Sequence, residues 1–139
     1  MTVAFYEEAE DSLLRFAVVV SRHRGKWVLC RHKDRDTWEV PGGHREEGED
    51  ILTAAKRELY EETGAKEYLL TPVCPYSVRD NGSETFGMLY YADITRFDPL
   101  PPSEIDCISL FDDMPHNLTY PLIQPLLVLR AADAVAVPL

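Results

Sequence analysis

Residues 43–65 read GHREEGEDILTAAKRELYEETGA, and this stretch holds most of what the sequence says about architecture. Its second half predicts a helix from Asp50 to Thr63, because apolar residues recur there at helical spacing. Gly64 follows as the type of residue that ends a helix in a left-handed conformation. The stretch is therefore interpreted as a loop followed by a helix with a defined end.

Three glutamates of this helix stand where they repel one another. Glu58, Glu61 and Glu62 occupy positions i, i+3 and i+4, so they share one face of the helix. Each like-charge pair costs roughly 0.2–0.5 kcal/mol, and the end of the helix where they lie prefers cations. A solvated face with an Arg57–Glu61 ion pair is one interpretation, and a functional site is the other.

The direction of the carboxylates follows from a step of about 100° per residue. Ile51, Ala54 and Ala55 fall in the same sector as the three glutamates, which predicts carboxylates that face inward. Inward carboxylates are unfavourable unless they are paired or bind metal. Arg57 offsets one charge, and glutamate oxygens without histidine or cysteine partners favour a hard cation, Mg²⁺ or Mn²⁺.

The rest of the chain alternates strand-like and helix-like segments. Runs of β-branched and apolar residues predict strands at residues 14–21, 27–31, 37–40, 67–78, 84–94 and 105–111. Turns are predicted at residues 22–26, 41–43 and 79–83, and loops at residues 97–103 and 114–117. These segments give a sheet of mixed strands.

A second helix is predicted from Thr119 to about Ala132, with Thr119 as its cap and Pro121 in its first turn. Mixed strands with a helix on either side indicate an α/β/α sandwich. The length of 139 residues is that of one domain with its own core, so we expect residues 1–139 to form a single domain.

Composition restricts the partners. The net charge of −10, from 24 acidic and 14 basic residues, argues against a long nucleic acid, which needs a basic surface. The three cysteines lack zinc or redox spacing, which predicts free thiols in a reducing compartment. The sequence shows no secretion signal or membrane span. We therefore expect a cytoplasmic protein, a monomer or homodimer, and the charge remains compatible with a small phosphorylated ligand that is held through metal ions.

The stretch at residues 43–65 closely resembles the Nudix box. That motif is Gly, five residues, Glu, seven residues, Arg-Glu, an aliphatic residue, any residue, Glu-Glu, any residue, Gly and an aliphatic residue. The matching residues are Gly43, Glu49, Arg57, Glu58, Leu59, Glu61, Glu62 and Gly64. Ala65 is smaller than the aliphatic residue usual at the last position. The resemblance implies a Nudix-type sandwich with a mixed sheet and a loop–helix–loop, and it implies hydrolysis of a nucleoside diphosphate linked to another group.

The resemblance also implies roles for individual residues. Glu58 is implied to be either a metal ligand or the general base, and Arg57 to orient a glutamate through a charge-assisted hydrogen bond. Glu49 is implied to support the loop or to hold metal through water. Glu104, in a loop outside the box, resembles an extra acidic ligand, with an ordinary loop carboxylate as the alternative. The implied metal site, for Mg²⁺ or Mn²⁺, consists of the Gly43 carbonyl, Glu58, Glu61, Glu62 and Glu104.

Substrate contacts are predicted outside the box. Asn117 resembles the purine-reading asparagine of MutT-like members, and a helix cap is the alternative. Four aromatic residues are candidates for stacking on a base or for the core: Trp38, Tyr76, Phe86 and Tyr90. Four basic residues are candidates for a triphosphate tail or for a solvated surface turn: Arg31, His32, Lys33 and Arg35.

The function expected from these features is that of a MutT-like enzyme. Its substrate would be a nucleoside triphosphate, such as the oxidised purine 8-oxo-dGTP, and its products a nucleoside monophosphate and pyrophosphate. The alternatives within enzymes are ADP-ribose, a dinucleoside polyphosphate or an RNA 5′ end. The alternative from another class is a module that senses a nucleotide without cleaving it.

Overall fold

The computed structural model describes residues 1–135, and their strands form one mixed sheet. The strands are β1 (Thr2–Phe5), β2 (Leu14–His23), β3 (Lys26–His32), β4 (Gly42–His44), β5 (Ala65–Asp80), β6 (Ser83–Phe97) and β7 (Ile105–Phe111). Their order is β1-β5-β6-β2-β3-β7, and β4 pairs with β2 beside this path. The sheet is mixed because β2 runs parallel to β6, whereas β5 and β6 form a long antiparallel hairpin.

Helix α1 (Ile51–Thr63) and helix α2 (Gln124–Ala134) cover opposite faces of the sheet. The alternation along β3 shows this, since neighbouring residues of a strand point to opposite faces. Val28 packs in the cluster that contains α1, while Trp27 and Leu29 pack in the cluster that contains α2. The predicted α/β sandwich is confirmed. Within residues 1–135, neither helix is long and apolar enough to cross a membrane.

The boundaries of α1 match the prediction because both ends are set by local chemistry. The Asp50 carboxylate accepts a hydrogen bond from the Thr53 main-chain N–H at 2.7 Å, which caps the first turn. Gly64 adopts φ +77°, and a Cβ there would lie 2.6 Å from the Asp98 carbonyl oxygen. Only glycine fits this combination of conformation and close approach.

The strand predicted at residues 37–40 is wrong. Glu39 exchanges two main-chain hydrogen bonds of 2.9 Å with Cys30, and Trp38 forms an isolated bridge with Leu118. The next bonded pair of this antiparallel ladder would need a donor at residue 41. Pro41 has no N–H, so the ladder ends after one pair.

The turn predicted at residues 41–43 is also wrong, because Gly42 and Gly43 begin strand β4. These residues pair with Val18 and Ala17 of β2. A Cβ at Gly42 would lie 2.6 Å from the Ala17 carbonyl oxygen. Gly42 therefore serves the close approach of β4 to β2, which a single sequence does not distinguish from a turn.

The second helix begins later than predicted. It starts at Gln124 with Pro125 in its first turn, where a missing N–H does no harm. Thr119 does not cap it, because its hydroxyl lies 2.6 Å from that of Thr37 and donates to Glu39 at 3.2 Å. Thr119 thus joins two loops.

Candidate active site

A cavity of about 630 Å³ opens beside β4, between the end of α1 and the start of α2. Its volume is in the usual range for small-ligand sites. Six residues singled out from the sequence as metal or phosphate contacts line it: Gly43, Glu58, Glu62, Glu104, His32 and Arg35. The fold therefore brings together groups that are up to 72 residues apart in the chain (32 to 104).

A second, more open groove lies on the outer side of α1. Two lysines, Lys56 and Lys66, and one carboxylate, Glu67, line it together with apolar residues of β5. It contains none of the glutamates of the Nudix-like motif that face inward. The cavity beside β4 is therefore the candidate active site.

Glu62 is the most perturbed carboxylate of the cavity. Its Oε1 accepts a hydrogen bond of 2.7 Å from the Gly42 main-chain N–H. Burial raises the pKa of Glu62 to about 8, and the charges of Glu58 and Glu39 add to this rise, while the bond from Gly42 opposes it. The buried Glu62 carboxyl group, with its raised pKa, has no nearby cation in the part of the chain that the structure describes to stabilise its charged form.

Glu58 is packed against the backbone of β4. Its side chain is 13% exposed, and a Cβ at Gly43 would lie only 2.4 Å from its carboxyl carbon. Burial raises the pKa of Glu58, although the Arg57 guanidinium, 2.8 Å from its Oε1, acts in the opposite direction. Glycine at residue 43 thus leaves the space that the Glu58 carboxylate occupies.

Arg57 connects the loop to the glutamates of α1. Its guanidinium forms a two-pronged pair with Glu49 at 2.7 and 2.9 Å and donates to the His44 carbonyl oxygen at 3.0 Å. This pairing lowers the pKa of Glu49 to about 2. Both oxygens of Glu49 are thus engaged by Arg57, and the two roles predicted for Glu49, loop support and metal binding through water, stay predictions.

The expectation that all three glutamates face inward is wrong for Glu61. Its side chain is 49% exposed, it does not line the cavity, and its contact with Arg57 is a long one of 3.4 Å. Glu61 precedes Glu62 by one residue, which is about 100° around the helix. Because Glu58 and Glu62 lie on the side of the helix that faces the cavity, Glu61 lies at the edge of that side.

The donor set of the cavity fits a hard divalent cation. Glu58 and Glu62 supply oxygens, both have raised pKa values, and the Gly43 main chain lies beside them without a side chain between. Within residues 1–135, no three histidine, cysteine or acidic side chains are preassembled as a cage. Mg²⁺ does not need such a cage, because it keeps waters and shares its remaining positions with substrate phosphates.

Glu104 reaches the opposite rim of the cavity. Its side chain is 88% exposed, and its carboxylate lies 3.9 Å from Nδ1 of His32. Its main-chain carbonyl accepts a hydrogen bond of 2.9 Å from Lys33. A metal-binding role for Glu104 stays a prediction.

The basic residues predicted for a phosphate tail divide into two groups. Arg35 and His32 line the cavity, and Arg35 is held by an ion pair with Glu39. Arg31 instead pairs with Asp106 at 2.8 Å and stacks over the Trp38 ring. Lys33 is exposed and does not line the cavity. Arg35 is thus the cation best placed for a phosphate.

Asn117 lies outside the cavity lining. Its side-chain amide donates to the Asp36 carbonyl at 3.0 Å, and its main-chain carbonyl accepts from Trp38 at 2.9 Å. It does not cap α2, which begins seven residues later. Base reading by Asn117 stays a prediction, but the amide is already used in joining two loops.

The aromatic candidates are mainly core residues. Tyr90 is 3% exposed in the cluster under α1, Trp38 packs edge-on against Phe111, and Phe86 lies against Tyr6. Tyr76 belongs to the core under α2 and also lines the cavity. Of the four, Tyr76 is therefore the one placed to meet a ligand.

Sequence reasoning missed two buried polar residues of the cavity. Glu39 and Gln124 are 9% and 6% exposed, and both line the cavity. Glu39 lies at an alternating position in the segment TWEV, where a polar residue is expected to face solvent. Gln124 lies just before Pro125, where the sequence suggested the middle of a helix. Neither sequence position therefore indicates a buried polar residue that lines a cavity.

The raised pKa of Glu62 predicts how stability depends on pH in the metal-free protein. Because the folded state binds this proton more tightly than the unfolded state, its contribution to the free energy of unfolding is complete below pH 4.5 and is lost as the pH rises to about 8. Glu62→Gln keeps an acceptor for the Gly42 N–H but cannot ionise. We expect it to raise the free energy of unfolding on the order of 2 kcal/mol at about pH 8, and much less at about pH 5.

Urea unfolding of metal-free protein at both pH values measures this difference. Glu61→Gln is the matched control, since it removes the same charge from the same helix at an exposed position, and we expect a small change. If Glu62→Gln and wild type lost stability in parallel between the two pH values, the proton would not reside on Glu62.

Comparison with known proteins gives the following matches. Residues 12–112 match the family model described as NUDIX domain. The chain is 36% identical over 102 residues to the putative 8-oxo-dGTP diphosphatase YtkD of Bacillus subtilis, covering 73% of this chain and 64% of that protein. It is 48% identical over 58 residues to an RNA pyrophosphohydrolase of Bartonella quintana, covering 35% of this chain and 34% of that protein. The matches thus span less than two thirds of these relatives.

A solved structure is similar over nearly the whole chain. The Bacillus subtilis pyrophosphohydrolase BsRppH superposes with a TM-score of 0.81 at 25% identity, covering 98% of this chain and 93% of that one. The helix, the glycine strand and the cavity described above therefore lie in a fold that a pyrophosphohydrolase also adopts.

Proposed function

The chain belongs to the NUDIX family, and we propose that it hydrolyses a phosphoanhydride bond of a small nucleotide. The favoured substrate is a nucleoside triphosphate, such as 8-oxo-dGTP, and the products are a nucleoside monophosphate and pyrophosphate. The observation that carries this proposal is the pair Glu58 and Glu62, whose carboxylates face one cavity with raised pKa values. Similarity to a protein named as an 8-oxo-dGTP diphosphatase supports the substrate.

We assign the metal to the oxygens of Glu58, Glu62 and the Gly43 carbonyl, with Glu61 and Glu104 as further proposed ligands. Bound Mg²⁺, or Mn²⁺ in its place, would neutralise charge on the phosphate oxygens and lower the pKa of a bound water. Glu61 would reach the site by turning its exposed side chain toward Glu62. Glu104 would reach it from the opposite rim.

The other steps belong to side chains of this chain. As the alternative to its role as a metal ligand, Glu58 is proposed as the base for the attacking water, because its raised pKa brings it closer to the operating pH. Arg57 fixes the orientation of Glu58 by donating a hydrogen bond of 2.8 Å. Arg35 is proposed to bind a phosphate oxygen, and its ion pair with Glu39 holds it at the cavity.

The proposal is tested by chromatographic separation of the products formed from a panel of substrates with Mg²⁺, because only the nucleoside triphosphates and the RNA can release pyrophosphate. The panel contains GTP, 8-oxo-dGTP, ATP, ADP-ribose, a dinucleoside tetraphosphate and a short RNA with a 5′-triphosphate. We expect turnover of a nucleoside triphosphate that stops when the metal is removed by chelation. Tight binding of one compound without turnover of any would instead indicate a sensing module.

An RNA 5′ end is the second candidate substrate. Both the Bartonella quintana relative and BsRppH are named as pyrophosphohydrolases, the first of them for RNA. The net charge of −10 opposes binding of a long polyanion. We therefore expect the short RNA of the panel to be a poorer substrate than GTP.

Gly43→Ala tests the close packing of Glu58. The added Cβ would lie 2.4 Å from the Glu58 carboxyl carbon, so that carboxylate must move. Because the displaced group is the end of a flexible side chain, we expect a loss in stability of about 1 kcal/mol or less. We expect a loss in kcat of about 100-fold, since a small misplacement of a reacting group has a large effect.

The measurement is steady-state kinetics and urea unfolding of Gly43→Ala, with Gly43→Ala/Glu58→Ala as the control for the contact. In the Glu58→Ala background, adding Gly43→Ala should not lower the free energy of unfolding, because the carboxylate that the new Cβ would meet is absent. Unchanged kcat in the single variant would show that Glu58 need not occupy its observed position.

We also propose a cytoplasmic location and a monomeric or homodimeric state. All three cysteines are free, as expected in a reducing compartment. Size-exclusion chromatography with light scattering determines the oligomeric state.

A further inference from the structure

The cavity carries three buried polar side chains, of which only Glu39, as the partner of Arg35, has a role in the proposed hydrolysis. Tyr76, Gln124 and Glu39 are 5%, 6% and 9% exposed, and all three line the cavity. We refer to these three residues as the polar floor. None of their polar atoms is both fully buried and without a partner, so the atoms that lack a protein partner are accessible from the cavity and can pair with a ligand there.

Gln124 presents a donor in a fixed direction. Its Oε1 accepts a hydrogen bond of 3.2 Å from the Val40 main-chain N–H. Val40 is held in place by the neighbouring exchange of hydrogen bonds between Glu39 and Cys30. Turning the amide over would place its NH₂ group against the N–H of Val40. The Nε2 group, which donates to no residue in the described part of the chain, therefore remains a donor.

Tyr76 and Glu39 add groups of complementary character. The Tyr76 ring lies across Gly87, where a Cβ would come within 2.7 Å of the hydroxyl oxygen. That hydroxyl has no hydrogen-bond partner among residues 1–135, and burial raises its pKa, so it stays protonated. Glu39 accepts from both Arg35 and Thr119 through Oε1, which leaves Oε2 as an acceptor.

We propose that the polar floor is the base-recognition subsite and that Gln124 selects bases with an exocyclic carbonyl over bases with an exocyclic amine. The inference rests on the proposed function and names its substrate class. A fixed N–H donor matches the carbonyl oxygen of guanine, hypoxanthine or uracil. It cannot form a hydrogen bond with the exocyclic amine of adenine or cytosine, because that amine is itself a donor.

Glu39 strengthens the same selection. A carbonyl at this edge of a base is accompanied by a ring N–H, and an acceptor such as Glu39 Oε2 suits that group. Adenine has an unprotonated ring nitrogen there, which a carboxylate repels. A donor and an acceptor that line the same cavity therefore suit the C=O/N–H pair of a base, and a mismatched base leaves polar groups unpaired.

The test compares nucleotides that differ only at this edge. We expect wild type to hydrolyse GTP and ITP with kcat/KM at least about 10-fold above that for ATP, mainly through KM. Gln124→Glu keeps the shape and the acceptor for Val40 but replaces the donor with an acceptor. We expect it to lower the GTP-to-ATP ratio of kcat/KM by at least about 10-fold. A folding defect would lower both rates together and leave the ratio unchanged.

Binding of IMP and AMP by calorimetry separates this inference from the proposed hydrolysis. Tighter IMP binding that Gln124→Glu reverses, without turnover of any nucleotide, would support the subsite and overturn the hydrolysis. Normal turnover with equal constants for GTP and ATP in wild type would overturn the subsite alone. A ratio that Gln124→Glu leaves unchanged but Asn117→Ala abolishes would also overturn it, in favour of the loop asparagine.

Discussion

Glu62→Gln is expected to lower kcat by about 1,000-fold with the fold intact. The substitution keeps the shape of the side chain and an acceptor for the Gly42 N–H, which donates to Glu62 at 2.7 Å. It removes the negative charge that, in the proposed site, holds the metal against the substrate phosphates. Losing one preorganised charge in a water-poor site commonly lowers rates by 100- to 1,000-fold, and about 1,000-fold is expected where metal is also lost.

Steady-state kinetics with Mg²⁺, together with metal titration by calorimetry, measures the effect. Glu67→Gln is the matched control, because Glu67 lies on β5 with a side chain 61% exposed and contacts Arg96 at the surface. We expect the control to behave like wild type in both assays. Wild-type kcat and metal affinity in Glu62→Gln would remove Glu62 from the site.

The second large effect is expected for Arg57→Ala. Arg57 pairs with Glu49 through two hydrogen bonds and also contacts Glu58 and the His44 carbonyl. Its removal leaves Glu49, whose side chain is 10% exposed, without its main partner. It also frees Glu58 to rotate. We expect the melting temperature to fall by at least about 5 °C and kcat to fall by about 100-fold or more.

Thermal unfolding and kinetics of Arg57→Ala and Arg57→Lys separate charge from geometry. Lysine keeps the positive charge but lacks the planar fork that pairs with both oxygens of Glu49. We therefore expect Arg57→Lys to recover part of the stability and little of the activity. Full activity in Arg57→Lys would mean that Arg57 acts only as a charge.

The pH dependence of the pair offers an independent check. The pKa of Glu49 is lowered to about 2 by Arg57, so the stability that this pair contributes is present above the ordinary carboxyl value and is lost as the pH falls toward 2. The opposite holds for Glu62, whose contribution in the metal-free protein decreases as the pH rises. The two carboxylates, 13 residues apart in the sequence, thus have opposite pH dependences.

Local chemistry was enough to predict α1 and the long strands. Asp50 and Gly64 delimit the helix through their own side chain and backbone preferences, and the turn at Asn81 and Gly82 takes the positive φ that these residues tolerate. Such signals are contained in a few consecutive residues. They can therefore be read without knowing the neighbours in space.

Signals that depend on distant neighbours were misread. Gly42 and Gly43 resemble a turn in the sequence, but in the structure they form β4. Their lack of a side chain leaves room for the Ala17 carbonyl oxygen and the Glu58 carboxylate, which lie close to them. Thr119 resembles a helix cap, but Thr37, 82 residues away, engages its hydroxyl. In each case the residue type was compatible with two structures, and packing selected one.

The sequence alone was sufficient to specify the family motif, the type of chemistry and the helix that carries the glutamates, because the motif and both helix ends are set by residues close together in the chain. The folded chain was needed to show that Glu61 lies at the margin of that face and that Glu39, Tyr76 and Gln124 form a polar floor. The three floor residues come from a loop, a strand and a helix start, and no local spacing relates them. Their common cavity arises from the packing of α2 against the sheet, which is a long-range interaction.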